Sequence, residues 1–216
     1  MTPLELVIFD CDGVLVDSEG IATRVLLEEA GALGVHLPVP ETFELFRGEK
    51  MARCVAIIEA RLGTSVPPGF VPRVRQRMAD AFTTELRAID GVEDVLATLS
   101  VASCVASSGP IEKIRLSLRV TGLLEYFDDH LFSAYEIGSW KPDPGLFLHA
   151  ARAMGVAPEG CIVVEDSLPG VTAGVAAGMR VLAFAEGALA DRLAAEGGEV
   201  FGHMRELPRL LESPRG

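Results

Sequence analysis

A short apolar run that ends in a pair of aspartates constrains this chain more than any other feature. Leu6 to Phe9 holds no polar residue, and Asp10-Cys11-Asp12-Gly13 follows directly. Such a run reads as a strand buried on both faces, the kind found in a parallel sheet. In α/β proteins, chemistry gathers beyond the carboxyl ends of such strands. Extended backbone would turn Asp10 and Asp12 to one side and Cys11 to the other. Neighbouring carboxylates repel, so a cation must neutralise the pair or one carboxyl must keep its proton. Either state is useful: carboxylate oxygens suit a hard cation such as Mg²⁺, and a carboxyl with a raised pKa can act as a general acid. The competing reading is a plain strand-ending turn, with Gly13 supplying the bend. What the rest of the chain places beside the pair decides between them.

From Ser18 to Ala88 the pattern is helical throughout. Asp17-Ser18 offers a cap for a helix from about Glu19 to Leu33, broken by Gly34 and the prolines Pro38 and Pro40. Helix is expected again over Glu41 to Phe46 and roughly Lys50 to Arg61. After the loop around Pro67-Pro68, Val71, Val74, Met78, Phe82 and Leu86 step by three or four residues as one apolar stripe. Beyond a hinge at Ile89-Asp90-Gly91, strands and helices alternate. Strands are expected at Val101–Ala106, His130–Ser133, Cys161–Val164 and Arg180–Phe184. The helices between and after them are expected at Val92–Leu99, Ile111–Val120, Pro144–Met154, Leu168–Ala177 and Arg205–Leu211. Repeated β-α units imply a parallel sheet covered by helices. The expected architecture is therefore an α/β, Rossmann-like core of residues 1–16 and 89–216, interrupted after its first strand by a helical domain of residues 17–88. Gly170, Gly174 and Gly178 recur every four residues, which suits close packing of a helix on the sheet.

Charge and cysteine usage exclude several classes of function. The net charge of −12 is opposite to the basic footprint of a nucleic-acid binder and unsuited to an anionic membrane surface. No apolar run is long enough to span a bilayer, and the N-terminus has no signal-peptide pattern, so the expected location is cytoplasmic. Cys11, Cys54, Cys104 and Cys161 are widely spaced and form no Cys-x-x-Cys, which fits buried free thiols. The four histidines show no zinc-ligand spacing.

Four polar clusters fall at or just past the expected strand ends: Asp10/Asp12, Ser107/Ser108, Lys141 in Trp140-Lys141-Pro142-Asp143-Pro144, and Glu165/Asp166. A parallel sheet brings them to one edge. Hard oxygen ligands, a hydroxyl with backbone N–H groups behind it, and a compact cation together suit a phosphoryl group, whose oxygens must be neutralised in the transition state. Taken singly, each cluster could be a turn, a helix start or a cap.

In this order, Asp10-x-Asp12-Gly13, Ser107, Lys141-Pro142 and Glu165-Asp166-Ser167 resemble the haloacid dehalogenase superfamily of phosphatases. The resemblance covers nearly the whole chain, and the helical insert is similar to that superfamily's mobile cap. A second aspartate at Asp12 is similar to the phosphotransferase branch, since the dehalogenases lack it. Phe46-Arg47-Gly48, Trp140-Lys141-Pro142-Asp143-Pro144 and Ala177-Gly178-Met179 resemble the group containing β-phosphoglucomutase and the sugar-phosphate phosphatases. The resemblance implies that Asp10 is the nucleophile and Asp12 the general acid and base. It implies Mg²⁺ held by Asp10, the Asp12 backbone carbonyl and Asp166, with Glu165 in support. It also implies that Ser107 and Lys141 grip the phosphoryl group, with Gly13 allowing close approach and Ser108 beside it.

The implied substrate is a small phosphorylated sugar or sugar acid of the 6-phosphogluconate kind, handled by a monomer or weak homo-oligomer. Between Arg47 and Arg77 seven basic residues face two acids, an excess that stands out in so acidic a chain. Arg47 and Lys50 fall where the family's specificity loop lies and are the expected contacts to a second anionic end; most of the other basic residues read better as a solvated helix face. Two alternatives stay open. One is a β-phosphoglucomutase-type mutase, although its cap histidine and cap arginine correspond here to Ala22 and Met51. The other is a catalytically inactive protein that only binds phosphorylated metabolites.

Overall fold

The computed structural model describes residues 3–38, 46, 50–127 and 129–213. Six strands form one sheet in the order β3-β2-β1-β4-β5-β6. They are β1 (Leu6–Phe9), β2 (Ala102–Ser107), β3 (Leu131–Ser133), β4 (Cys161–Glu165), β5 (Arg180–Phe184) and β6 (Glu199–Phe201). Every pairing is parallel. β1 is central and wholly buried, and strand alternation divides it between two cores. Val7 and Phe9 pack into the core on one face of the sheet, Leu6 and Ile8 into the core on the other. The strand order reverses between β1 and β4, and a crevice at such a switch point is where α/β sheets bind ligands.

Between β1 and β2 lies the helical insert, with α1 (Glu19–Ala32), α2 (Met51–Leu62) and α3 (Phe70–Glu85). These helices bury a third core of their own, including Val25, Leu26, Ile58, Phe70 and Val74. The chain enters and leaves the insert through paired segments. Asp17 N–H donates to the Arg87 carbonyl at 2.9 Å, and Ile89 N–H donates to the Leu15 carbonyl at 3.0 Å. On α3, Val74, Met78 and Phe82 form the expected stripe, with Phe70 buried at its head. Val71 is only half-buried, and Leu86 lies just past the helix end. The helix expected over Glu41–Phe46, and Arg47 with it, falls outside the described residues apart from Phe46, which is helical.

The remaining helices are α4 (Val92–Thr98), α5 (Ile111–Val120), α6 (Ala134–Ile137), α7 (Gly145–Ala153), α8 (Leu168–Ala176), α9 (Gly187–Ala195) and α10 (Leu207–Glu212). Parallel strands need such crossovers. Three elements, α6, α9 and β6, go beyond what the pattern of the sequence suggested. β6 is three residues long at the sheet edge with one buried side chain, so it carries no apolar run to announce it. The glycine repeat on α8 serves more than one end. A Cβ on Gly174 would lie 2.6 Å from Val181, which is the expected helix-to-sheet contact. A Cβ on Gly170 would instead lie 1.9 Å from the Glu165 carboxyl, and Gly178 adopts a positive φ at the helix end. Among the described residues, no helix is long and apolar enough to cross a membrane.

Candidate active site

The sheet's topology carries Asp10, Ser107 and Glu165 to the carboxyl ends of β1, β2 and β4. Asp10 N–H still donates to the Val164 carbonyl at 3.0 Å, so the nucleophile candidate sits one residue past β1 while remaining tied to the sheet. The chain then folds back on itself, with Leu15 and Val16 N–H both donating to the Cys11 carbonyl. Gly13 makes this loop possible in two ways. Its φ is +78°, and a Cβ there would lie 2.1 Å from Asp166 Oδ2. Cys11 turns away into the core, where burial pushes its thiol well above the ordinary range.

Lys141 joins β1 to β4. Its Nζ donates to Asp10 Oδ1 at 2.5 Å and to Glu165 Oε1 at 2.6 Å, with the side chain only 3% exposed. The other Glu165 oxygen accepts from Asp166 N–H, Ser167 N–H and Ser167 Oγ, at 2.8, 2.9 and 2.9 Å. Glu165 is thus a fully bonded carboxylate that orients Lys141 and the first turn beyond β4. Ser167 Oγ also accepts from Gly170 N–H, so it caps α8 as well as bonding Glu165. Asp10, Glu165 and Asp166 each offer an oxygen, all within 4.8 Å of one another. Ser107 is buried, and its Oγ accepts from Gly109 N–H at 3.1 Å, holding the turn in which Ser108 lies.

These groups open onto a cavity of about 360 Å³ between the sheet edge and the insert. The insert contributes Lys50, Met51, Arg75 and Phe82 to its walls. Lys50 Nζ lies 5.6 Å from the centre of the Trp140 ring, and Arg75 stacks at 5.3 Å on Tyr135 while donating to its hydroxyl at 2.9 Å.

A family model for haloacid dehalogenase-like hydrolases matches residues 4–178. The chain belongs to this family. Over 214 residues it is 38% identical to 6-phosphogluconate phosphatase of Escherichia coli K12, spanning 99% of this chain and 97% of that one. A haloacid dehalogenase-like protein of unknown function from Agrobacterium tumefaciens is 34% identical, with a TM-score of 0.83 over 96% of this chain and 97% of that one. A hydrolase of the same family from Deinococcus radiodurans, solved with bound phosphate and sodium, is 32% identical, with a TM-score of 0.79 over 98% and 96%. The chain is a phosphatase.

In this haloacid dehalogenase-like hydrolase the electrostatics of the two aspartates diverge. Burial is the largest influence on Asp10 and pushes it up; Lys141 opposes this, while Glu165, Asp12 and Asp166 add to it, and the carboxyl rises from 3.8 to about 8. Burial likewise favours a proton on Asp12, but the Lys113 charge and hydrogen bonds from Lys113 and Ser18 outweigh it and hold Asp12 below the usual range. Burial works against the Lys141 ammonium, yet Asp10 and Glu165 keep it charged, above its ordinary value. The two aspartates are thus pushed in opposite directions, Asp10 up by burial and Asp12 down by the lysine against it.

Lys113 and Ser18 are the site residues that sequence reasoning missed. Lys113 Nζ donates to Asp12 Oδ2 at 2.7 Å, and Ser18 Oγ donates to Asp12 Oδ1 at 2.5 Å. Ser18 occupies the N-cap position of α1 with a helical backbone, makes no cap bond, and directs its hydroxyl to the Asp12 carboxylate. Lys113 did leave a signal: a lysine in the first turn of a helix opposes the dipole and needs a nearby anion. Of the basic residues in the insert, Arg73 and Arg77 bond Glu28 and Glu29, and Arg61 bonds the Ile57 carbonyl. Lys50 and Arg75 reach the cavity. α2 begins at Met51, so Lys50 precedes it and does not share a helical face with Arg53. Arg47 lies outside the described residues.

Proposed function

We propose that this phosphatase hydrolyses small phosphorylated sugars or sugar acids, of the 6-phosphogluconate kind, through an aspartyl phosphate on Asp10, with Mg²⁺ as cofactor. The observation that carries the reading is the meeting of Asp10, Lys141, Glu165 and Asp166 at the strand ends, with Asp12 on the same loop. Residues 17–88 act as the cap over a catalytic core of residues 1–16 and 89–216.

The donor set fits Mg²⁺. Four carboxylates, Asp10, Asp12, Glu165 and Asp166, face two ammonium groups, Lys113 and Lys141, and the neighbouring carboxylates add to the burial that drives Asp10 up to about 8. Because Gly13 carries no Cβ, Asp166 keeps its place beside the loop. Asp10, Asp166 and the Asp12 backbone carbonyl would hold the ion, with Glu165 behind them. When bound, the ion supplies positive charge to the phosphoryl oxygens and to the Asp10 carboxylate.

The chain's own residues do the rest. Lys141 orients Asp10 and offsets its charge; Ser107 and the N–H groups of the following turn bind the phosphoryl oxygens. An Asp10 oxygen attacks phosphorus, the bond to the sugar oxygen breaks, and Asp12 delivers a proton to that oxygen. The incoming phosphoryl dianion favours a proton on Asp12, drawn from solvent as substrate docks. Asp12 then takes a proton from the water that attacks the aspartyl phosphate, releasing phosphate and restoring Asp10.

Lys50 and Arg75, in the wall across from the phosphoryl site, are placed to meet a carboxylate or hydroxyls at the substrate's far end. Ala22 and Met51, which correspond to the mutase histidine and arginine, line the same cavity as apolar side chains, and this favours hydrolysis over phosphoryl return. The test is phosphate release with Mg²⁺ across phosphorylated sugars and sugar acids, β-glucose 1-phosphate included. Preference for a sugar acid phosphate is expected. Conversion of β-glucose 1-phosphate to glucose 6-phosphate with little free phosphate would make the enzyme a mutase instead.

A further inference from the structure

The Asp12 carboxylate is gripped on both oxygens, and the two grips differ in kind. Ser18 belongs to the loop that carries Asp12 into α1. Lys113 comes from a different part of the chain, 101 residues away in sequence, on the first turn of α5. Its ammonium reaches Asp12 Oδ2 at 2.7 Å with 28% of the lysine side chain and 21% of the aspartate side chain exposed. Partial burial makes the contact stronger than a surface pair, while both groups still face the cavity. Across the cavity, Phe82 of α3 lies over the same ammonium, 5.7 Å from ring centre to nitrogen. The other lysine at the sheet edge, Lys141, is engaged by Asp10 and Glu165. The two cations are thus divided, one for each aspartate.

A carboxylate that must give a proton to one oxygen and later take one from another needs a fixed plane. Ser18 alone would leave Asp12 free to pivot about a single bond. An ammonium on the second oxygen fixes the plane, and because it only donates, it stays compatible with the aspartate through both halves of the cycle.

We propose that Lys113 is a positioning residue for Asp12: it holds the carboxyl group in the orientation from which Asp12 serves the leaving oxygen and the attacking water. The ring of Phe82 confines the lysine on the insert side, so the cap's helix α3 forms part of the holding site. The inference rests on Asp12 acting as acid and base, as proposed above.

The experiment compares Lys113→Met and Lys113→Arg with the unaltered enzyme, using Mg²⁺ and the best substrate from the sugar phosphate panel. Inorganic phosphate serves as a competitive inhibitor, and a thermal midpoint is recorded for each variant. Lys113→Met is expected to lose about tenfold to a hundredfold in kcat, the scale of a misplaced catalytic group. KM and the phosphate inhibition constant should stay within about twofold, because Lys141 and Ser107 grip the phosphoryl group. Lys113→Arg should recover most of the loss, which a merely structural role for the lysine stem would not require. A kcat for Lys113→Met within about twofold of the unaltered enzyme would overturn the proposal. So would a parallel fall in phosphate affinity, which would make Lys113 a direct phosphoryl ligand, or an arginine variant no better than the methionine one. Asp12→Asn serves as the control: if it keeps full turnover, the acid-base reading itself fails, whereas loss in Asp12→Asn with none in Lys113→Met removes only the role given to Lys113.

Discussion

Two clusters of opposite charges organise this molecule, and they are built on different terms. Within the insert, Arg24, Arg73 and Arg77 bond Glu28, Glu29 and Glu85, charge for charge. Glu29 is the buried member, 8% exposed, with Arg73 at 2.6 Å and Arg77 at 2.9 Å. At the sheet edge the carboxylates outnumber the ammonium groups, and burial together with the neighbouring carboxylates holds Asp10 up near 8. The first cluster is complete in itself and ties α1 to α3. The second is incomplete without further positive charge, which is the condition of a site that takes up a cation and a phosphoryl group. Charge density alone does not separate a structural network from a chemical one; the balance of charge does.

The comparison can be broken most severely at Asp10. Asp10→Asn is expected to lower turnover at least a thousandfold, roughly the scale seen when a nucleophile is removed. Above about pH 8, where Asp10 ionises in the metal-free protein, it should also raise the thermal midpoint, since one of the crowded negative charges is gone. Steady-state kinetics and melting in chelator check both halves; a lowered midpoint would mean that the cluster is already balanced.

Next in size is the response to metal and pH. Chelation should abolish turnover, and added Mg²⁺ should restore it. Between the unfolded value of 3.8 and the folded value of about 8, the metal-free native protein holds a proton on Asp10 that the unfolded chain has lost. Its stability therefore falls as pH rises through that window. Mg²⁺ should raise the thermal midpoint more at pH 8 than at pH 5, and an equal shift at both would count against the excess charge.

The smallest effect belongs to the balanced cluster and has the opposite sign. Hydrogen bonds from Arg73 lead in holding Glu29 below the usual glutamate value, ahead of burial, which opposes them. Its contribution is present above the ordinary range near 4.5 and is lost as pH falls through the lower folded value. Glu29→Gln should cost about 1 kcal/mol at neutral pH, the upper end for pairs whose arginines stay half in water, and should leave kcat unchanged. Urea melts at pH 7 and pH 4, with the cost shrinking at the lower pH, check it.

Much of the sheet and the sheet-edge half of the site could be read from the sequence, because both are written in local patterns. β1 and β5 lie where their apolar runs put them, β2 shifts by one residue at both ends, and β3 and β4 shift by one residue at one end. Asp10, Asp12, Ser107, Lys141, Glu165 and Asp166 all line the cavity, since strand ends in a parallel sheet share an edge. What the sequence did not disclose depends on contacts between distant residues. Ser18 has the chemistry of a cap but directs its hydroxyl to Asp12, a contact that only the fold of the loop reveals. Lys113 lies 101 residues from its partner, so no spacing rule joins them. Gly170 reads as one step in a helix-packing repeat, but its missing side chain makes room for Glu165. The basic excess of the insert divides between Glu28 and Glu29 on one side and the cavity on the other, and only the fold sorts one from the other.

The most direct measurement is rapid quenching of the Mg²⁺-loaded enzyme during turnover of a sugar phosphate, followed by peptide mass spectrometry of the phosphorylated residue. The unbalanced cluster with Asp10 at its centre predicts one phosphoryl group, on Asp10, absent from Asp10→Asn and released on standing. Turnover with no phosphoprotein, or with the phosphoryl group on another residue, would contradict it.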